Sequence, residues 1–258
     1  MKKSLKKKLI SIITFVLLLV IWFLFTNLGN VSKVILPKPQ DVWVSFTKLC
    51  TQGYGTNKDT LLVHMAASMK RLLIAFAFSI ASAIPLGLLC GYFDHISAVI
   101  SPFVEFYRPI PPLAYYTLLV LWFGITEGSK IILLFLAGFA PIFIACVSGV
   151  KRINKDYLNA SYMLGASKSQ TFINVILPAA LPDIFTGIRT AIGVEYTTLV
   201  AAEMVAAKRG VGWMVLDASN WLKSDVVFVG VIIMGITGIL LNQVVLILEK
   251  HFVHWAGK

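Results

Sequence analysis

Three charged residues, Arg189, Glu195 and Glu203, interrupt a long apolar stretch that runs from residue 184 to residue 207. A helix advances about 100° and 1.5 Å per residue, so their side chains fall within an arc of about 120°, with axial separations of about 9 and 12 Å. An ionisable residue inside a bilayer is a functional-site hypothesis by default. One interpretation is a helix that faces a water-filled pathway, with Glu195 lining the cavity. In the other, Arg189 and Glu203 lie at opposite membrane interfaces and only Glu195 is deep.

A second polar anomaly is the run from Glu105 to Pro112, which contains Arg108 and three prolines in four positions, ending Pro109-Ile-Pro111-Pro112. Proline lacks a donor and crowds the preceding turn, so this run is not a helix interior. It predicts either a broken backbone at membrane depth, which needs protein or water around it, or a plain elbow on the cytoplasmic side between two spans. Glu105 and Arg108 are three residues apart and are spaced to pair across one helical turn.

Motifs for catalysis are missing from the sequence. There is no phosphate-binding Gly-x-x-x-x-Gly-Lys-Ser/Thr, no His-Glu-x-x-His and no Ser/His/Asp order. His251 and His254 have a helical metal spacing but lie in a short terminal tail, where an interfacial anchor is the better interpretation. Cys50, Cys90 and Cys146 are isolated and are interpreted as small core residues. The sequence therefore predicts a chain without a catalytic site, metal or cofactor of its own.

Composition indicates a membrane protein. Apolar residues make up 58% of the 258 residues and charged residues 14%, against about 25% charged in a soluble domain. The net charge of +11 is concentrated in clusters that flank apolar runs, which is typical of inside-facing loops and not of a nucleic-acid surface. The clusters are Lys2, Lys3, Lys6, Lys7 and Lys8 at the start, and Lys151, Arg152, Lys155 and Lys168 in the centre.

Charge-poor windows predict an all-α membrane protein with six transmembrane helices in a single domain, 1–258. The predicted spans are roughly 9–28, 72–92, 109–126, 131–150, 184–206 and 226–248. The lysine-rich start suggests a signal peptide, but no small-residue cleavage site follows it, so the first helix is expected to be retained. An even number of spans places both termini and the central loop, 151–182, in the cytoplasm.

Two smaller features concern packing and the membrane interface. Residues 59–70 predict a short interfacial helix before the second span, with Lys70 and Arg71 at the outer headgroups and their stems snorkelling. Glycine spacings such as Gly87-x-x-x-Gly91 and Gly235-x-x-Gly238 allow helix backbones to approach closely.

The central loop reads as two short helices joined by a glycine. Gly165 is expected to end the first helix in a left-handed conformation, and Ser167 to cap the second. Leu177-Pro178 and Leu181-Pro182 are expected to stop the second helix before the fifth span. Such a segment is either a rigid projecting knob that docks a second protein or an amphipathic connector that lies on the lipid.

The spacing of this loop resembles the signature loop of the permeases of binding-protein-dependent ABC importers. Asn159-Ala-Ser161, three residues, Gly165, nine residues and Val175-Ile-Leu-Pro178 match the family pattern Glu-Ala-Ala, three residues, Gly, nine residues, Ile-x-Leu-Pro. Asn159 replaces the family glutamate, Ser161 the second alanine and Val175 the isoleucine. A salt bridge from the first position to the ATPase is therefore not implied, although the knob geometry is.

Further segments resemble the taurine, sulfonate, nitrate and bicarbonate branch of that family, and the taurine permeases most. The resemblance covers about residue 35 to the C-terminus. The matching segments are Leu36-Pro-Lys-Pro39, Tyr107-Arg-Pro-Ile-Pro-Pro-Leu-Ala114, Leu121-Trp-Phe-Gly124, Gly128-Ser-Lys130, Ala140-Pro141, Leu177-Pro-Ala-Ala-Leu-Pro182 and Thr198-Leu-Val-Ala-Ala-Glu203.

The resemblance implies a type I ABC importer permease fold with a cytoplasmic coupling helix, in the bacterial inner membrane. It implies a permease homodimer, two ATP-binding subunits that hold ATP-Mg, and an extracytoplasmic substrate-binding protein. The implied ATPase-coupling residues are Tyr157, Asn159, Ala160, Ser161, Leu164, Gly165, Ala166, Ser167, Leu177 and Pro178. The candidate translocation-path residues are Arg108, Arg189, Glu195 and Tyr196.

The implied cargo is taurine or a related sulfonate. The alternatives are an aliphatic sulfonate, nitrate or bicarbonate permease, and, from another class, a secondary transporter in which Glu195 carries a proton. The sequence shows no convincing internal repeat of the kind that many secondary transporters have. A membrane-embedded enzyme is disfavoured because no catalytic constellation is present.

Overall fold

The computed structural model describes residues 2–29 and 31–255, without the side chains of residues 2–8 and 11. The last residues of the predicted cytoplasmic tail, 256–258, lie outside that range. The described helices are α1 (Lys2–Leu28), α2 (Pro39–Thr51), α3 (Leu61–Tyr92), α4 (Asp94–Tyr107), α5 (Pro112–Phe123), α6 (Glu127–Lys151), α7 (Lys155–Met163), α8 (Lys168–Thr171), α9 (Leu177–Ala206), α10 (Val211–Asn220) and α11 (Ser224–Phe252). A π-helical segment, Phe172–Ile176, joins α8 to α9.

Within the described residues, four helical stretches have the length and hydropathy needed to cross a bilayer. They are Leu61–Tyr92, Glu127–Lys151, Lys168–Ala206 and Ser224–Phe252. Two further apolar segments, Ile12–Leu28 and Pro112–Phe123, are shorter. The six predicted windows fall on these six segments, and the predicted all-α membrane fold is confirmed.

A three-helix core of α3, α6 and α9 forms because small residues let the backbones approach. A Cβ on Gly87 of α3 would lie 2.6 Å from Cys146 Cβ of α6 and 2.8 Å from the Phe143 carbonyl oxygen. A Cβ on Gly91 would lie 2.6 Å from Val150 Cβ. The close approach predicted from this glycine pair is therefore confirmed, whereas a Cβ on Gly235 would meet nothing within 4 Å.

Helices α2 and α10, with the end of α1 and the start of α11, pack around the end of the core at which α6 begins, here called the cap end. Trp22 of α1 stacks on Phe228 of α11, with ring centroids 5.6 Å apart, and its Nε1–H donates to the Pro37 carbonyl at 3.1 Å. Tyr54 donates to Asp217 of α10 at 2.8 Å. Burial and this hydrogen bond raise the pKa of Tyr54, so the phenol keeps its proton and remains the donor.

The opposite end, at which α6 finishes and α7 and α8 project, is here called the knob end. α11 also finishes there, since Phe252 stacks on Phe185 of α9 with ring centroids 6.1 Å apart. α1 finishes at the cap end with α11 beginning beside it, so these two helices have opposite directions at that end.

The predicted interfacial helix over residues 59–70 is wrong. α3 is one continuous helix from Leu61 to Tyr92. Arg71, expected at the outer headgroups, is instead only 5% exposed. Arg71 has carboxylate partners inside the protein, so its side chain does not need to reach the membrane interface. The helix therefore continues past this residue without a break.

The predicted stop at Pro178 and Pro182 is also wrong, because the chain stays helical from Lys168 to Ala206. In the π-helical segment the Leu177 N–H reaches back to the Phe172 carbonyl, five residues earlier. Pro178 then occupies the first turn of α9, where a missing N–H costs little. The wider π turn therefore absorbs the proline that would otherwise end the helix.

We expect Gly87→Ala to destabilise the protein by about 1–3 kcal/mol, because the added methyl group overpacks the α3–α6 contact. Gly235→Ala is the matched control. It should be neutral or stabilising by up to about 1 kcal/mol, since alanine is the better helix former. Thermal unfolding of the detergent-purified variants measures both. Equal midpoints for the two variants would contradict the close approach at Gly87.

Candidate functional site

The knob consists of α7, α8 and the turn between them, and its shape comes from local signals. Asn154 caps α7 by accepting a hydrogen bond from the Asp156 N–H at 3.0 Å. Gly165 follows α7 at φ +81°, donating to the Tyr162 carbonyl at 2.9 Å, while the Ala166 N–H reaches the Ser161 carbonyl at 3.0 Å. These two bonds form a Schellman motif. The predicted left-handed helix end at Gly165 is confirmed.

Ser167 then caps α8 as predicted. Its hydroxyl accepts from the Gln170 N–H at 3.3 Å, and the Gln170 side chain accepts from the Ser167 N–H at 2.8 Å. This reciprocal pair is a capping box. Two capped helices thus meet at a fixed turn, which makes the knob a defined shape.

Buried polar contacts hold the knob together and fasten it to the bundle. Ser161 is buried, and its hydroxyl lies 3.0 Å from the Thr171 hydroxyl of α8. The Tyr92 and Tyr162 hydroxyls lie 3.2 Å apart, and the Tyr92 ring packs edge-on against Phe172. Ser161 therefore positions α7 on α8 and does not face outward, although the sequence placed it among the coupling residues.

The tip of the knob exposes apolar side chains. Met163 and Leu164 are 89% and 88% exposed, and Tyr157 is 66% exposed. Leu164 and Tyr157 were predicted as coupling residues and Met163 was not. Of the other predicted residues, Asn159, Ala160, Gly165 and Ser167 are exposed, and Ala166, Leu177 and Pro178 are half-buried. An apolar tip on a polar projection is typical of a surface that binds another protein.

The charged and phenolic side chains of α9 do not line one path, because two of them bond to α11 and the other two, Glu195 and Glu203, bond to α3. Arg189 pairs with Glu249 of α11. Tyr196 donates to the Met234 carbonyl of α11 at 2.9 Å. Glu203 is buried at the cap end of α9. Arg189 and Tyr196 therefore join α9 to α11.

Glu195 is fully buried between α3, α6 and α9 and does not line an open cavity. Ser79 of α3 donates to its Oε1 at 2.8 Å, and its Oε2 has no hydrogen-bond partner within the described residues. A Cβ on Gly138 of α6 would overlap this carboxylate. Gly138 thus leaves the space that Glu195 fills, and the predicted cavity-lining role is not supported.

A partly buried ionic network at the cap end joins α3, α6, α9 and the turn before α10, and it centres on Arg71, with Glu127 at the start of α6 as its exposed member. Arg71 Nη1 lies 2.6 Å from Glu203 Oε1 and donates to the Arg209 carbonyl at 2.8 Å. Its Nε and Nη2 reach Glu127 at 2.5 and 3.0 Å, and Lys130 Nζ reaches the same carboxylate at 2.8 Å. Two cations face two carboxylates, so the network carries no net charge.

Glu203 fills its remaining bonds within the same network. It accepts from the Ser68 hydroxyl at 2.7 Å and from the Gly212 N–H at 2.9 Å. This network was not predicted from the sequence, because Arg71 and Glu203 are 132 residues apart and each was interpreted without the other. The available signal was two opposite charges near the same end of two apolar spans, which would be expected to pair.

The proline-rich break between α4 and α5 lies at membrane depth. Tyr107 at the end of α4 donates to the Leu136 carbonyl at 3.4 Å. Leu136 lies about 14 Å along α6, a helix about 37 Å long. α4 starts at the knob end and α5 leads to the cap end, so together they form one discontinuous span. The alternative of an elbow on the cytoplasmic side is therefore wrong.

A cavity of about 340 Å³ lies at the cap end, beside α2, and a smaller one of about 230 Å³ lies at the break. The smaller cavity is lined by Tyr107, Arg108, Ile110 and Tyr115 from the break and by Ala140 and Val194 from α6 and α9. Arg108 is exposed, and within the described residues no carboxylate lies within 4.0 Å of it. Glu105 and Arg108, which were spaced to pair across one helical turn, do not form an ion pair in the described structure.

Comparison with known proteins gives one family and several relatives. The family described as "Binding-protein-dependent transport system inner membrane component" matches residues 83–257. The chain is similar to the taurine transport system permease protein TauC of Escherichia coli K12, with 41% identity over 251 residues, 96% of this chain and 90% of that protein. It is 32% identical to the putative aliphatic sulfonates transport permease protein SsuC of Bacillus subtilis 168, over 92% and 84% of the two chains. It is 31% identical to the nitrate import permease protein NrtB of Leptolyngbya laminosa, over 94% and 87%.

We expect Arg71→Met to destabilise the protein by about 3–5 kcal/mol, because it leaves the buried Glu203 carboxylate without its cation. The matched control is Arg152→Met, which breaks the more exposed pair with Asp183 and should cost less than about 1 kcal/mol. Thermal unfolding in detergent compares them. An Arg71→Met variant as stable as the control would contradict the network.

Proposed function

We propose that this chain forms the membrane passage of an ATP-driven importer for taurine or a related sulfonate. The chain belongs to the family of binding-protein-dependent transport system inner membrane components. The family predicted from the signature loop is confirmed. The chain is a multi-pass inner-membrane permease and a non-catalytic subunit, and its importer includes separate ATP-binding and substrate-binding proteins.

Taurine is the proposed cargo because the relative with 41% identity is a taurine permease, whereas the sulfonate and nitrate relatives have 32% and 31%. An aliphatic sulfonate, nitrate or bicarbonate remains the alternative cargo. All of these are small and carry an anionic group, so one cationic passage would serve any of them.

The exposed tip of the knob is the observation that carries the coupling role. We infer that Met163 and Leu164 insert into a groove of the ATP-binding subunit, where burial of each side chain would contribute about 1.5–3 kcal/mol. Tyr157 would lie on the flank of the contact. Asn159 offers hydrogen bonds where the family pattern has a glutamate, so an amide contact would replace a salt bridge.

The knob is built to transmit motion. Ser161 and Thr171 hold its two helices together, and the Tyr92–Tyr162 contact fixes it to α3. The unbroken helical connection to α9 contains the half-buried Leu177 and Pro178. A displacement of the tip would therefore move α3 and α9 as a rigid body, as coupling between two states requires.

The proposed assembly contains two copies of this chain, two ATP-binding subunits that hold ATP-Mg, and one external binding protein. The knob end would face the cytoplasm, because the cluster of Lys151, Arg152, Lys155 and Lys168 lies there. The binding protein would then dock at the cap end. With six spans, both termini are cytoplasmic.

A secondary transporter that uses Glu195 as its proton carrier has less support. The carboxylate is fully buried, bonded by Ser79 and packed against Gly138, and among the described residues it lines neither of the two cavities reported above. Proton carriers in transporters face a water-filled cavity.

We expect Gly165→Val to reduce ATP-driven uptake at least about tenfold, because φ +81° strains a β-branched residue and the turn would change shape. A Cβ at this position would meet nothing within 4 Å, so the effect isolates the backbone. Gly165→Asn is the matched control and should retain most of the uptake, since asparagine tolerates the left-handed region. Uptake by membrane vesicles measures both. Full uptake by Gly165→Val would contradict the coupling role.

Competition with labelled taurine tests the cargo. Unlabelled taurine should compete most strongly, short alkanesulfonates less and nitrate least, because the binding protein selects for a sulfonate with an amine. Nitrate that competed as strongly as taurine would reassign the cargo.

A further inference from the structure

We propose that the cavity at the break between α4 and α5 is a weak anion site in which Arg108 receives the sulfonate group of the cargo midway across the membrane. This inference rests on the proposed function. It adds a binding site and states what that site recognises, namely the anionic end of the cargo.

The unpaired state of Arg108 is the first observation. The buried Glu195 is bonded by the Ser79 hydroxyl, and Arg71, Arg189 and Glu203 have partners of opposite sign. Within the described residues Arg108 has none, although it lies at a similar depth to the centre of α6. A cation without a partner at membrane depth is available to bind a mobile anion, because no fixed carboxylate of the described chain competes for it.

The composition of the cavity is the second observation. Arg108 is the one charged residue among those that line it in the described part of the chain. The cavity volume, about 230 Å³, lies below the range of about 300–1,000 Å³ that is usual for drug-sized ligands. The cavity is therefore cationic and suited to a small anion.

The chemistry of the guanidinium fits a sulfonate. Its planar fork donates two parallel hydrogen bonds to two oxygens of an oxyanion. The Tyr115 hydroxyl makes no hydrogen bond within the described residues and lines the same cavity, so it is a candidate third donor. The Tyr107 hydroxyl already donates to the Leu136 carbonyl, so Tyr107 contributes only its ring to the wall of the cavity.

The same arrangement explains why the site would be weak and tolerant. Arg108 is exposed, so water competes with the cargo and release remains fast. In the described part of the chain, no carboxylate lines the cavity to bind the ammonium group of taurine. The passage would therefore accept small sulfonates with or without an amine, and would leave that discrimination to the binding protein.

The first experiment measures anion attraction without transport. In the assembled importer, Ile110→Cys places a thiol in the cavity, with the exposed Cys50 changed to serine and the buried Cys90 and Cys146 retained. The thiol is treated with a methanethiosulfonate reagent that carries an ethylsulfonate group and, separately, with one that carries a trimethylammonium group. Adding Arg108→Gln should lower the ratio of anionic to cationic reaction rates about tenfold, since a nearby cation concentrates anions.

Lys250→Gln is the matched control for this experiment, because Lys250 is an exposed cation in the last turn of α11 and does not line the cavity at the break. It should leave the ratio unchanged. Reaction of the Arg108→Gln variant with the cationic reagent reports that the cavity still forms. A ratio that Arg108→Gln does not change would overturn the anion site, and so would loss of the cationic reaction together with the anionic one.

The second experiment measures uptake of labelled taurine by the reconstituted importer. Arg108→Gln should lower the uptake rate about tenfold, Arg108→Lys should restore part of it, and Lys250→Gln should behave as wild type. Wild-type uptake together with equal uptake by Arg108→Gln would overturn the anion site and leave the proposed function intact. A wild-type importer that does not take up taurine would instead overturn the proposed cargo, and the thiol experiment would still decide the anion site.

Discussion

The fold depends on one constraint of the bilayer, which is that a polar group within it must find its partner in the protein. The Arg71 network meets this constraint at the cap end, where two cations and two carboxylates neutralise each other. An unpaired charge at the centre of a helix costs at least about 2.5–3.5 kcal/mol on insertion scales. The network therefore fixes how α3 and α9 are aligned, because a shift of either helix would separate the buried Arg71 from the buried Glu203.

The same constraint separates the rigid part of the molecule from the part that handles cargo. Glu195 fills the space above Gly138 and bonds Ser79, so the centre of the three-helix core is closed. The break between α4 and α5 lies beside this core and not within it, and Arg108 has no ion-pair partner there among the residues that the structure describes. In the proposed assembly the core would therefore move as one body under the knob, and the passage would form along its edge, against a second copy of the chain.

Features set by neighbouring residues could be predicted from the sequence, and features set by contacts between helices could not. The turn at Gly165 and the cap at Ser167 are local, since a left-handed φ and a capping hydroxyl need only the adjacent turns. The two carboxylate partners of Arg71 lie on other helices, more than fifty residues away in the sequence. For that reason the Arg71 side chain was predicted at the membrane interface instead. Pro178 was expected to end a helix because the π turn that accommodates it has no recognised sequence signal.

Uptake of labelled taurine into proteoliposomes is the most direct measurement of ATP-driven import. The liposomes would hold the permease with its ATP-binding subunit, with the binding protein outside and ATP enclosed inside. We expect uptake only when ATP and the taurine-loaded binding protein are both present, and no effect of an uncoupler. Uptake that persists without ATP and collapses on addition of an uncoupler would contradict the function proposed for this chain.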